Sequence, residues 1–285
     1  LKLNNKIRNR NNMTLPCLKN FKNYQNNYYS VLMQIPGFKE SALVIEDFLK
    51  QIIAEGDFYI KVPTKVLPLI LECGYLKNAV QAGKTASGGG PVARIKSTEF
   101  MFGCSQNELT KPDYPRFGYL SSPDPKINML MTYDMTYQYG DATIKLKKDN
   151  LFDRTTLTIG TSLDFMSFAY LIPTLLTDPK ATCIFGVATH LALGKDAAPY
   201  GPGNIKNYLF LADKIKDGTI NKNNFYNIDE LLGGKNPLLR FFELQFHGDI
   251  KLSDFERIDY MEEPDEEVIK GFEAKGIPVE EQSII

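Results

Sequence analysis

Residues 240–248 read Arg-Phe-Phe-Glu-Leu-Gln-Phe-His-Gly, and from Phe242 to His247 apolar and polar residues alternate. In an extended chain successive side chains point to opposite faces. Phe242, Leu244 and Phe246 therefore share one face, and Glu243, Gln245 and His247 share the other. A period of two does not fit a helix, so the segment is a strand with its aromatic face on a core. Spacing alone leaves two readings of the polar face. It meets solvent, as the outer face of a half-buried strand does, or it lines a cleft in which Glu243 steadies a cationic centre.

The same period recurs in Ala142 to Leu146 and Thr155 to Ile159, whereas the first part of the chain is helical in pattern. From Ser41, a plausible N-cap, Val44, Phe48, Leu49 and Ile52 recur at helix spacing, and Gly56 ends the run. Phe58 to Val62 is a short strand closed by Pro63. Helical spacing resumes over Thr64 to Leu76 through Val66, Leu69, Ile70 and Cys73, with Pro68 in the first turn and Gly74 near the end. Neither a repeat nor a linker interrupts the chain, so one α+β domain is expected.

Several function classes are excluded by composition. With 43% apolar and 12% aromatic residues, the 285-residue chain buries a sizeable core and is no disordered segment. Its 33 basic and 34 acidic side chains nearly cancel, so the footprint of a nucleic-acid binder is missing. The longest apolar stretch, Phe168 to Leu176, falls well short of the ~20 residues that span a bilayer. Cys17, Cys73, Cys104 and Cys183 lie far apart, and His190 and His247 are the two histidines. A structural zinc site wants about four clustered ligands, so no metal is expected. The cysteines and His190 read as core or satisfied residues.

Charge is unevenly spread. Residues 1–56 form a basic, Asn-rich arm (Lys2, Lys6, Arg8, Arg10) and the helical portion. Residues 57–262 carry the strand pattern, and 263–285 follow as an acidic tail opened by Glu263, Asp265, Glu266 and Glu267. Like-charge runs of this kind are solvated ends or contacts for a partner. With no export signal in the Asn- and Lys-rich start, a cytoplasmic protein is expected, or an effector delivered into a host cell.

Gly83-Lys84-Thr85 suggests a phosphate loop, but that motif needs glycine five positions before Gly83, where Asn78 stands. The glycines of 83–90 still permit close backbone approach to a ligand.

Four blocks, in order, resemble a bacterial branch of the ADP-ribosyltransferase superfamily. Gln81-Ala-Gly-Lys-Thr-Ala-Ser-Gly-Gly, with Arg94 and Glu99-Phe-Met-Phe-Gly behind it, is similar to FETGxSNGG followed by R…E..LFG. Tyr114-Pro-Arg-Phe-Gly-Tyr-Leu is similar to R-P-x-Y-G-x-L. Tyr139-Gly-Asp, Leu146-Lys and Arg154-Thr-Thr-Leu-Thr-Ile-Gly-Thr-Ser162 are similar to FGS…LK…RTTFTxGDS. Phe242-Glu-Leu-Gln-Phe-His-Gly, then Leu252-Ser-Asp-Phe-Glu-Arg-Ile, resembles Y-x-E-x-Q-x-H-G and D-x-E. The blocks span roughly positions 58 to 260.

The resemblance implies a split β-sandwich gripping NAD, and transfer of ADP-ribose to a protein acceptor, arginine favoured, with release of nicotinamide. It makes Glu243 the catalytic acid and places Gln245 against the acceptor or the cofactor. Thr85 and Ser87 would line the nicotinamide pocket, Tyr119 would stack on that ring and His247 would bond the cofactor. Family members carry Arg or His on the first cleft strand. Here Phe58-Tyr-Ile-Lys-Val-Pro-Thr-Lys offers Lys61 or Lys65 instead, with Arg94 and Arg116 as further phosphate ligands. Two alternatives follow: an NAD glycohydrolase with water as acceptor, or an inactive binding module, which the absent first-strand Arg or His favours.

Overall fold

A computed structural model describes residues 15–21, 32–85, 90–124, 136–162, 167–175, 182–185, 202–225 and 241–282. Ser87, His190 and the first residues of the basic arm lie outside them. The helices are α1 (Phe38–Glu55), α2 (Leu67–Cys73), α3 (Ala79–Ala82), α4 (Val92–Phe102), α5 (Lys148–Leu151), α6 (Ile172–Leu175), α7 (Pro202–Lys216) and α8 (Glu266–Glu273). The strands are β1 (Asp57–Val62), β2 (Tyr75–Leu76), β3 (Arg116–Ser121), β4 (Ala142–Leu146), β5 (Thr155–Ile159), β6 (Ser167–Leu171), β7 (Thr182–Phe185), β8 (Phe242–Phe246), β9 (Ile250–Lys251), β10 (Phe255–Tyr260) and β11 (Val279–Glu281). Nine strands form one mixed sheet in the order β11-β10-β4-β1-β3-β8-β5-β6-β7, and β2 pairs with β9 apart from it. The α+β class expected from the pattern holds.

Register sorts the side chains of the sheet. Phe58 pairs with Leu120, Leu120 with Phe242, and Phe242 with Ile159, one apolar row across four strands. The apolar stripe of α1 covers this face, with Ile45, Phe48, Leu49 and Ile52 buried. Phe48 lies 6.2 Å from Phe242, ring to ring. Tyr208 of α7 stacks on Phe38 at 5.0 Å and completes the layer. The adjacent row runs Tyr59, Tyr119, Glu243, Thr158 and faces the other way. Over that second face, Met101 and Phe102 of α4 pack with Ala169 and Leu171 of β6 and with Cys17, Leu18 and Phe21. Gly118 makes the close packing of β3 possible: a Cβ there would sit 2.2 Å from the Tyr59 carbonyl oxygen.

Two local expectations are corrected. Helix α1 begins at Phe38 behind Gly37, and Ser41 is a buried residue inside it rather than its cap. Over its described residues, 263–282, the acidic segment is built onto the sheet instead of trailing from it. Val268 and Phe272 bury one side of α8, and β11 adds a parallel strand to β10. The charge run had hidden that apolar spacing.

Helix α1 has no basic residue in its last turn. Lys148 supplies the charge from a distance, its Nζ donating to the carbonyl oxygens of Ile53, Ala54 (3.2 Å) and Gly56 (2.8 Å). These are carbonyls that a helix end leaves unpaired, at the negative pole of its dipole. Lys148→Met is expected to lower stability by about 1–2 kcal/mol, read from urea unfolding midpoints at constant slope.

Candidate functional site

A cleft of about 750 Å³ opens between β1 and β3 on one side and α2, α3 and the start of α4 on the other. Its wall brings together Lys61, Lys65, Thr85, Arg94, Arg116, Tyr119 and Glu243, seven of the ten residues singled out from the sequence. Glu243 is the single acid among its described lining residues, against six cations: Lys61, Lys65, Lys77, Lys84, Arg94 and Arg116.

Glu243 owes its place to β8, an interior strand paired with β3 and β5. Its side chain is on the cleft face and only 1% exposed, so the solvent reading of the alternation does not hold. The carboxylate is held on every side. Ser162 N–H donates to Oε1 at 3.1 Å, Gln245 Nε2 donates to Oε1 at 3.1 Å, and the Thr161 hydroxyl donates to Oε2 at 3.3 Å. Arg94 Nη1 adds an ion pair, 3.0 Å from Oε2 and 3.3 Å from Oε1.

Arg94 reaches this carboxylate from the first turn of α4. Its guanidinium lies 3.9 Å above the Phe117 ring and also donates to the Ser162 hydroxyl at 2.8 Å. A flat cation over an aromatic face is favourable, more so where water is excluded. Ser162 is aimed by the turn after β5. Gly160, at φ 81°, takes the left-handed conformation that lets the chain double back so that the Thr161 hydroxyl and the Ser162 amide meet Glu243. Neither Thr161 nor Ser162 was singled out from the sequence, although both sit inside the quoted Arg154–Ser162 block.

Gln245 and His247 do not line the cleft. Both are buried behind Glu243, which corrects their expected contact with acceptor or cofactor. They form a directed relay. Thr156 Oγ1 has one proton, given to Gln245 Oε1 at 2.9 Å. It therefore accepts from His247 Nε2–H at 3.1 Å, which assigns the imidazole tautomer. Gln245 Nε2 in turn donates to Thr158 Oγ1 and to Glu243. Gln245 thus orients the carboxylate rather than the ligand.

His247 packs edge-on against Phe102 at 4.8 Å, and its Nδ1 has no partner among the described residues. Burial first, then the nearby Arg154 and Arg116 charges, push its pKa down to about 3. The folded protein keeps the ring neutral while the unfolded chain protonates it below the ordinary histidine value of 6.5. Stability is therefore lost as pH falls from about 6.5 toward 3, at about 1.4 kcal/mol per pH unit. His247→Gln keeps a donor to Thr156 without the titration. The stability gap between wild type and this variant should close by that slope between pH 6 and pH 4, in urea titrations.

Arg116 is also reassigned. Nε donates to the Leu76 carbonyl at 3.0 Å, Nη1 to those of Pro112 (3.2 Å) and Gly248 (2.8 Å), and Nη2 to Gln81 Oε1 and Asp249 at 2.9 Å each. All five of its N–H groups are committed. It clamps the cleft floor and has no donor left for a phosphate. Asn78 does similar work nearby, capping α3 and donating to the carbonyls of Lys111 and Tyr114 at 2.8 Å each. Gly83 follows α3 as its C-terminal cap, whereas a phosphate loop precedes its helix.

The remaining predicted residues reach the cleft. Lys61 is buried, its Nζ donating to the Gly140 carbonyl at 3.0 Å, and burial pulls its pKa down to about 8 against the pull of Asp141. Lys65 is exposed at the rim, and Thr85 is half-buried. Tyr119 stacks on Tyr59, centroids 5.5 Å apart, with planes within 19°. No group of acids, cysteines and histidines fit to hold a metal occurs among the described residues. No helix among them is long and apolar enough to cross a membrane.

Neither the models of known protein families nor the sequences of curated proteins give a match to this chain.

Proposed function

We propose that the chain transfers ADP-ribose from NAD to a protein side chain, arginine favoured, on the split β-sandwich of the ADP-ribosyltransferase superfamily. The observation that carries this reading is the buried Glu243 carboxylate on the wall of a cation-lined cleft. Breaking the bond between the ribose and nicotinamide sends the bonding pair to nicotinamide and builds positive charge on the sugar. A carboxylate fixed beside that carbon stabilises the charge more than the ground state. The acceptor's lone pair then forms the new bond at the same carbon, and its proton leaves to solvent. The same electrostatics serve glycosidases.

The cleft's composition supports a dinucleotide. Its size is in the range of small-molecule sites, ~300–1,000 Å³, and Lys61 and Arg94 offer cations to a diphosphate. Phe117, half-buried on the wall, offers aromatic surface to a ring, whereas Tyr119, 2% exposed and stacked on Tyr59, does not.

A second reading, an inactive binding module on the same fold, is favoured by the Arg94–Glu243 ion pair, because a neutralised carboxylate steadies a new cation poorly. Incubation with NAD and a mixture of proteins separates the readings. Nicotinamide with labelled protein is expected. Nicotinamide without label would make the activity glycohydrolysis, and neither would leave the binding module.

A further inference from the structure

We infer that Arg94 changes partners, passing from Glu243 to the diphosphate of an entering dinucleotide, so that the carboxylate stays neutralised until the ligand arrives. The identity of the anion rests on the proposed function, while the exchange itself rests on how the pair is built.

A single nitrogen, Nη1, makes the contacts of Arg94 to Glu243 and Ser162. The carboxylate does not depend on it for orientation. Three neutral donors, from Ser162, Gln245 and Thr161, cover both of its oxygens. If the guanidinium leaves, Glu243 remains aimed and hydrogen-bonded, with its charge uncancelled. That is the state in which it best steadies a cation. Arg94 also lines the cleft that the ligand would enter. A diphosphate presents two or more negative charges in a geometry that a guanidinium grips bidentately, and so outcompetes one carboxylate.

The exchange predicts an energetic coupling between the two residues. Breaking the pair opposes anion binding, so removing the charge of Glu243 should help the anion only while Arg94 is present. Titration calorimetry with inorganic pyrophosphate tests this on the wild type, Glu243→Gln, Arg94→Gln and the double variant, each checked for folding by circular dichroism and melting.

Glu243→Gln is expected to tighten binding about 10-fold, within the span of one charged hydrogen bond, and Arg94→Gln to weaken it by a similar factor. In the Arg94→Gln background the Glu243→Gln gain should shrink to about 2-fold or less. An equal gain with and without Arg94, or wild-type affinity in Arg94→Gln, would overturn the exchange. Arg94→Gln alone leaves a buried unpaired acid. If it does not fold, the double variant, which has no such charge, is compared with Glu243→Gln alone. A loss of about 10-fold or more supports the exchange, and equal affinity overturns it. Nicotinamide release by the wild type is followed in parallel. Coupling without release would remove the transferase reading and keep the exchange, and release without coupling would do the opposite.

Discussion

Glu243→Gln is expected to cut nicotinamide release by about 10³-fold or more while the protein still folds. The amide keeps the shape of the carboxylate and loses the charge on which the proposed transition state depends. The buried surroundings enlarge the effect, because an electrostatic contact in a site closed to water is worth more than in solution. Turnover at the wild-type rate in the folded variant would remove Glu243 from the chemistry. A companion substitution, Gln245→Leu, removes one donor to Oε1 and leaves Thr156 and Thr158 each short of a partner. Its loss should be smaller than that of Glu243→Gln, since Ser162 and Thr161 still hold the carboxylate.

Arg116→Met should cost about 3–4 kcal/mol of stability, the largest structural effect we anticipate. The substitution leaves the Leu76, Pro112 and Gly248 carbonyls without this donor, in a region where Arg116 is 2% exposed. Its ion pair with Asp249 adds less, because the aspartate is half in water. Burial also lowers the arginine's pKa, so the charge is held there against a desolvation cost and by these acceptors. Urea unfolding gives the loss directly. A variant that melted like wild type yet failed to bind NAD would return Arg116 to the ligand.

The strand of Glu243 was legible because alternation is a local property: Phe242, Leu244 and Phe246 can face a core together only if the chain is extended. Helix α1 was legible for the same reason, and its start was missed because Gly37, not a side-chain cap, precedes it. What alternation cannot report is the partner across the fold. Arg94 and Glu243 are 149 positions apart, and nothing near either residue announces the other. The acceptors of Arg116 come from three separate stretches of chain, 76–81, 112 and 248–249, so the residue reads equally well as a phosphate ligand. Gln245 was placed on the correct face of β8, but face alone did not tell a cleft wall from the packed layer beneath α4. That distinction depends on the Thr156 and Thr158 hydroxyls of the neighbouring strand β5.

An interior strand, hydrogen-bonded along both flanks, is among the stiffest places a protein offers, whereas Arg94 reaches across from a separate helix on a long, rotatable side chain. The negative pole of this cleft is thus an anchored fixture and its counter-charge the adjustable part. Any response to an incoming molecule would originate on the helical side, and the acid would act as the datum against which the rest is positioned.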